Sequence, residues 1–144
     1  MPVDHPITEI RIRNEIAELA RVSEAMERIG ERHGFAAKTL AQLQVALDET
    51  VSNVIKYAWP EGGSHEICVR IMVGNGEVTL EVLDDGRPFD PVSAPPPKAL
   101  PPGQRPLPGG VGLHMVRQFM DSIEYARVDG GNRLTLTKVY DTNR

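Results

Sequence analysis

The patterning of this chain predicts an α/β (α+β) two-layer sandwich, a mixed, mostly antiparallel sheet with helices on one face. Three observations carry that expectation. Two pairs of alternating apolar runs are joined by tight glycine-containing turns, Gly74-Asn75-Gly76 and Asp129-Gly130-Gly131-Asn132, and strands joined so closely run antiparallel. Each helical segment carries a single apolar stripe, so each covers one surface rather than being enclosed on all sides. A length of 144 residues suffices for one core and not for two.

From the N-terminus, Ile10 and Ile12 fall on one side of the segment Ile7–Arg13 and Glu9, Arg11 and Arg13 on the other, the period of a half-buried strand. Asn14 stops the alternation and is expected to cap the helix that follows. In that helix Ile16, Leu19, Val22, Met26 and Ile29 recur at three- and four-residue steps, and it ends about Arg32, near Gly34. A second helix places Leu40, Leu43, Leu47, Val51, Val54 and Ala58 on one stripe at about 100° per residue, until Pro60, Gly62 and Gly63 close it. Ile67, Val69, Ile71 and Val73 then mark one strand of a hairpin and Val78, Leu80 and Val82 the other. Residues 91–108 hold eight of the 12 prolines, which excludes regular structure and reads as a mobile loop with extended stretches. After Gly109-Gly110, the residues Val111, Leu113, Val116, Phe119 and Met120 mark a third helix, and residues 123–128 and 134–140 give two last strands. The order is β-α-α-β-β-loop-α-β-β.

Composition removes whole classes of function. Hydrophobic residues at 40% and charged residues at 25% describe an ordinary soluble globular domain. With 16 Lys and Arg against 20 Asp and Glu, net charge -4, there is no basic field to hold nucleic acid. Cys68 is the only cysteine, so an internal disulfide and a cysteine-rich metal cage are excluded, and a reducing cytoplasm fits. His5, His33, His65 and His114 show no ligand spacing, and no transition-metal site is expected. The N-terminus has no basic stretch followed by an apolar one, and no apolar run approaches the roughly 18 residues a span needs, so neither export nor a membrane anchor is expected.

There is no GxxxxGK[ST] loop, and Gly74-Asn75-Gly76-Glu77-Val78-Thr79 lacks the third glycine of a kinase-type loop, so the two common nucleotide motifs are absent. Three other clusters carry chemical potential. Glu49 and Asn53, four residues apart, stack on one helix face roughly opposite the apolar stripe. There they form either a solvated polar face or a carboxylate and amide oxygen that share a magnesium-bound phosphate. Asp84-Asp85-Gly86-Arg87-Pro88-Phe89-Asp90 leaves the end of an apolar strand, as an acidic turn or as a site where the aspartate takes a base amine and the glycine lets a ring approach. Gly109-Gly110-Val111-Gly112 opens a helix, as a flexible joint or as a cradle of backbone N–H groups for phosphate.

Taken in order, these clusters resemble the N, G1 and G2 boxes of the gyrase and histidine-kinase type ATPase superfamily, the Bergerat ATP-binding fold. The resemblance covers nearly the whole chain as one domain, residues 1–144, with an N box at 46–58, a G1 box at 84–90, an ATP lid at 91–108 and a G2 box at 109–115. The run Ala46-Leu47-Asp48-Glu49-Thr50-Val51-Ser52-Asn53-Val54-Ile55-Lys56-Tyr57-Ala58 and the Pro-Phe-Asp form of the G1 box look like the bacterial anti-sigma factor serine/threonine kinases.

That resemblance implies a role for each position. Glu49 would be the general base, Asn53 the protein ligand of Mg2+, and Asp84 the acceptor of the adenine amine, with Gly86 packed against the ring. Gly110, Val111, Gly112 and Leu113 would turn backbone N–H groups to the phosphates of ATP. The implied substrate is a STAS-domain anti-sigma factor antagonist, and the implied second partner a sigma factor, with a homodimer left open and no nucleic acid or membrane involved. A nucleotide-gated partner-binding regulator without useful transfer is the rival reading. A detached histidine-kinase catalytic domain is disfavoured, because no dimerising helix carries a phospho-accepting histidine. The chain departs from the pattern at Gly131-Asn132, where relatives often carry Gly-Thr, and in a lid that offers only Lys98, Gln104 and Arg105 as long polar side chains. Arg21 sits where such kinases often place residues for partner contacts, and reads first as a solvated face.

Overall fold

The computed structural model describes residues 7–90 and 110–140. Strand β1 (Ile7–Arg13) leads through a 3-10 turn (Ile16–Glu18) into helix α1 (Leu19–His33), and helix α2 (Ala37–Tyr57) precedes the hairpin of β2 (Glu66–Gly74) and β3 (Glu77–Asp84). Helix α3 (Gly110–Phe119) then leads to the hairpin of β4 (Ser122–Val128) and β5 (Gly131–Val139). The strands form one sheet in the order β1-β2-β3-β5-β4, and all its pairings are antiparallel.

Local chemistry explains the boundaries. Asn75 and Gly76 have φ of 54° and 75°, the double left-handed geometry of a two-residue hairpin turn whose twist matches that of the strands. Helix α1 stops where Gly34 turns left-handed at φ 67°, and the Phe35 amide closes on the Gly30 carbonyl at 3.0 Å.

Period two then builds the core. Ile67, Val69, Ile71 and Val73 of β2 and Val78, Leu80 and Val82 of β3 bury one face of the sheet against Val22, Met26 and Ile29 of α1, Leu43, Leu47 and Val51 of α2, and Val116 of α3. The opposite face carries Glu9, Arg11, Arg70 and Glu81 as a chain of exposed and half-buried surface ion pairs, which stabilise little in water. The expected arrangement, helices on one face only, is the arrangement found.

Asn14 is not the helix cap the sequence suggests. Glu15 and Glu18 occupy the cap positions, and neither makes a side-chain cap hydrogen bond. Asn14 instead donates Nδ2 to the Gly63 carbonyl at 3.0 Å and accepts the His65 amide at 2.8 Å, fixing the turn between α2 and β2. The reason is that β1 pairs with β2, which brings that turn within reach of the end of β1. Asn14→Ala should cost about 1 to 2 kcal/mol in urea unfolding, the net worth of two hydrogen bonds. An unchanged midpoint would mean that water replaces both.

Candidate functional site

Strand register assembles the site. The inner face of the sheet carries an apolar row, Val69 beside Val82 beside Leu134, ending in Tyr125. One step further along the strands the row turns polar, with Asp84 of β3 beside Asn132 of β5 and Asn132 beside Arg127 of β4. The second half of α2 lies over this end of the sheet. Between them is a cavity with apolar walls, Val54, Ala58, Val82, Phe89 and Leu134, and polar groups at Thr50, Asn53, Asp84, Tyr125 and Asn132.

Asp84 Oδ1 accepts two hydrogen bonds, from the Gly86 amide at 2.8 Å and from Asn132 Nδ2 at 2.9 Å. Burial pushes the Asp84 carboxyl above the usual carboxylate range, and those two donors, with the Arg127 charge, oppose the shift. Asn132 is 7% exposed and uses its whole amide: Nδ2 also reaches the Arg87 carbonyl at 2.8 Å, while Oδ1 accepts from the Tyr125 hydroxyl and from Arg127 Nη1 at 3.2 Å.

The loop after β3 is fastened to both layers. Arg127 donates Nη1 to the Gly86 carbonyl at 2.7 Å and Nη2 to the Gly130 carbonyl at 3.0 Å. On the helix side the Arg87 amide donates to the Ala58 carbonyl and Arg87 Nε to the Tyr57 carbonyl, both at 2.9 Å, so arginine satisfies carbonyls that the end of α2 leaves open. Next to these, Trp59 Nε1 donates to Asp85 Oδ1 at 3.2 Å.

Glycine at 86 follows from this fastening, because a Cβ there would sit 2.5 Å from both the Cβ and the carbonyl oxygen of Ala58. Gly86→Ala should therefore push the loop off α2 and cost about 1 to 3 kcal/mol, the usual penalty of overpacking. Thermal unfolding checks it, and a wild-type midpoint would mean that the loop shifts without cost.

Helix α2 corrects one expectation. Asn53 is not on a face opposite the apolar stripe but is 6% exposed, and Thr50 and Ser52 are buried with it. The helix is packed against α1, α3 and β3 together, so its buried arc is wider than its apolar stripe. Asn53 Oδ1 is buried and has no hydrogen-bond partner among the described residues, a costly state that an incoming ligand can relieve. One turn earlier Glu49 is half-buried, outside the residues that line the cavity. Its carboxylate meets no hydrogen-bond donor among the described residues.

Gly110, Val111, Gly112 and Leu113 form the first turn of α3, which packs on α2. Residues 91–108, expected as a lid, and Gly109 lie outside the described residues. Arg21 pairs with Glu18 at 3.2 Å on the surface of α1.

Sequence reasoning brought Asp84, Asn53 and Asn132 to notice and missed Tyr125, Arg127 and Arg87. A signal for two of them existed. Ile123, Tyr125 and Arg127 alternate on the inward side of β4, and an arginine at an inward position calls for a polar partner.

A cleft between helix and sheet, apolar along its walls, with a carboxylate and an amide oxygen that has no partner among the described residues, marks an α+β sandwich with a candidate ligand site. Within that class, the chain belongs to the histidine kinase-like ATPase domain family, which matches residues 12–138. It is 34% identical over 116 residues to the serine/threonine-protein kinase BtrW of Bordetella bronchiseptica, covering 78% of this chain and 79% of that one. To the serine-protein kinase RsbW of Listeria monocytogenes it is 26% identical over 128 residues, covering 86% and 80% of the two chains. The same fold occurs in one part of a solved structure that holds the RsbU and RsbW domains of a Mycobacterium tuberculosis protein, with TM-score 0.68 and 19% identity over 94% of this chain and 32% of that one.

Proposed function

We propose that this protein is a cytoplasmic, ATP-dependent serine/threonine kinase that acts as an anti-sigma factor and phosphorylates a STAS-domain antagonist in a partner-switching system. The kinase names of its relatives support the reaction, and a relative named anti-sigma F factor, from Caldanaerobacter subterraneus, 28% identical over 110 residues, supports the regulatory role. The single observation that carries the reading is Asn53 Oδ1, without a partner among the described residues, in the same cavity as the Asp84 carboxylate. One suits a hard cation and the other a base amine.

Asp84 would accept the amine of adenine, held between the apolar walls, with Gly86 behind it. The residues fit magnesium. An amide oxygen is a hard ligand, and magnesium takes few protein ligands beside substrate phosphates and water, so Asn53 would suffice as its protein contact. The ion, when bound, neutralises charge developing on the phosphates. Backbone N–H groups of Gly110, Val111, Gly112 and Leu113, at the positive end of α3, would hold phosphate oxygens, and residues 91–108 would cover them. Glu49 would accept the proton of the antagonist's hydroxyl as that oxygen bonds to the γ-phosphorus and ADP leaves.

The test is to incubate the protein with magnesium, γ-labelled ATP and each STAS-domain protein of the same genome. Label is expected on a serine or threonine of one of them. Nucleotide-dependent binding of a STAS protein without transfer would replace the kinase with a nucleotide-gated binding regulator.

A further inference from the structure

We infer that Tyr125, Arg127 and Asn132 form a lock that makes the site prefer a 6-amino purine to a 6-oxo purine. The inference rests on the adenine-nucleotide reading above and names the residues that would make that reading selective. A side-chain amide can lie either way round, and here its surroundings decide. Asn132 Oδ1 faces two donors, the Tyr125 hydroxyl and Arg127 Nη1, and a guanidinium has only N–H to offer. Nδ2 faces two acceptors, Asp84 Oδ1 at 2.9 Å and the Arg87 carbonyl at 2.8 Å. Turning the amide over would set NH2 against Arg127 and a carbonyl oxygen against both acceptors, all in a group 7% exposed.

The locked amide then acts on Asp84. It gives Oδ1 a second N–H beside that of Gly86, so two donors on one oxygen fix the carboxylate plane at the cavity wall. A carboxylate so held presents acceptors only. An exocyclic amine satisfies it, whereas an oxo group sets acceptor against acceptor and leaves a buried polar group unpaired, a difference of about 5- to 150-fold in affinity. The register builds the arrangement, since Asp84, Asn132 and Arg127 are neighbours in one row across β3, β5 and β4, with Tyr125 one step back along β4. Tyr125, Arg127 and Asn132 are thus positioning residues, acting on the base through Asp84.

The experiment measures affinities of the whole chain for ATP and for inosine triphosphate, which carries an oxo group in place of the amine. Wild type, Tyr125→Phe and Asn132→Leu are compared by calorimetry, with thermal unfolding alongside. Wild type should favour ATP by about 5- to 150-fold, Asn132→Leu should bring the two nucleotides within about threefold of each other, and Tyr125→Phe should fall between. If both affinities weaken in parallel at an unchanged ratio, the three residues only support the fold and the lock is overturned. Should Asn132→Leu fail to fold, Tyr125→Phe, which removes one oxygen atom, decides alone: a reduced ratio supports the lock and a wild-type ratio overturns it. Equal wild-type affinity for the two nucleotides overturns the lock and leaves the nucleotide site standing, and binding of neither overturns both.

Discussion

Glu49→Gln should slow phosphate transfer by about 10²- to 10⁴-fold while leaving ATP affinity nearly unchanged. The substitution keeps the size and shape of the side chain and replaces an anionic carboxylate with a neutral amide that cannot take up a proton. Its structural cost should be small, because the Glu49 carboxylate meets no hydrogen-bond donor among the described residues and the helix beneath it is held by Leu47, Thr50 and Val51. A base acts in the transition state, so its loss appears in the transfer rate and not in ground-state binding. Single-turnover transfer to the antagonist, with calorimetry of ATP binding, separates the two effects. Transfer at the wild-type rate would move the base elsewhere, and a parallel loss of ATP binding would make Glu49 a binding residue.

Asp84→Asn should weaken ATP binding by about 1 to 3 kcal/mol, roughly 5- to 150-fold. The asparagine keeps a carbonyl oxygen for the Gly86 amide and Asn132 Nδ2, so the network around it has a route to survive. What changes is the other end of the side chain, where NH2 replaces oxygen and, on the proposed adenine reading, would meet the amine of the base donor to donor.

The same variant has a pH signature of its own. Burial raises the Asp84 pKa in the folded protein above its value in the unfolded chain. A group with a raised folded pKa contributes stability below the unfolded value, and that contribution is lost as pH rises through the folded one. Asparagine does not titrate. The stability of Asp84→Asn relative to wild type should therefore increase from acid to neutral pH, as urea midpoints at the two ends will report. A difference independent of pH would mean that Asp84 titrates alike in both states.

Helices, strands and turns were legible in this sequence because each rests on local chemistry. The alternation of β2 and β3, the left-handed Asn75-Gly76 turn and the glycine after α1 require no knowledge of distant residues. Asp84 was legible for the same reason, as an aspartate leaving the end of an apolar strand. Asn14 was misread because its partners, Gly63 and His65, are remote in sequence and arrive only when β1 pairs with β2. The burial of Asn53 was hidden because an apolar stripe counts apolar residues, and a helix touched on three sides buries polar ones too. Tyr125 and Arg127 show locally only as inward positions of β4, while the partners that they and Arg87 meet depend on how β3, β5 and β4 align and on where α2 ends.

The arginine fastening of residues 85–87 to both layers has a consequence for exchange with solvent. The Gly86 amide is bonded to Asp84 and the Arg87 amide to the Ala58 carbonyl, on a loop gripped from the sheet side by Arg127 and from the helix side by Arg87 itself. Freeing the Arg87 amide requires the end of α2 to part from this loop, and the Gly86 amide is buried in the same fastening. In deuterated buffer these two protons should outlast those of the Gly62-Gly63 turn by orders of magnitude, leaving only when the whole domain opens. The clock of this loop is then the clock of global unfolding, and a ligand held by Asp84, as proposed, should slow that opening as well.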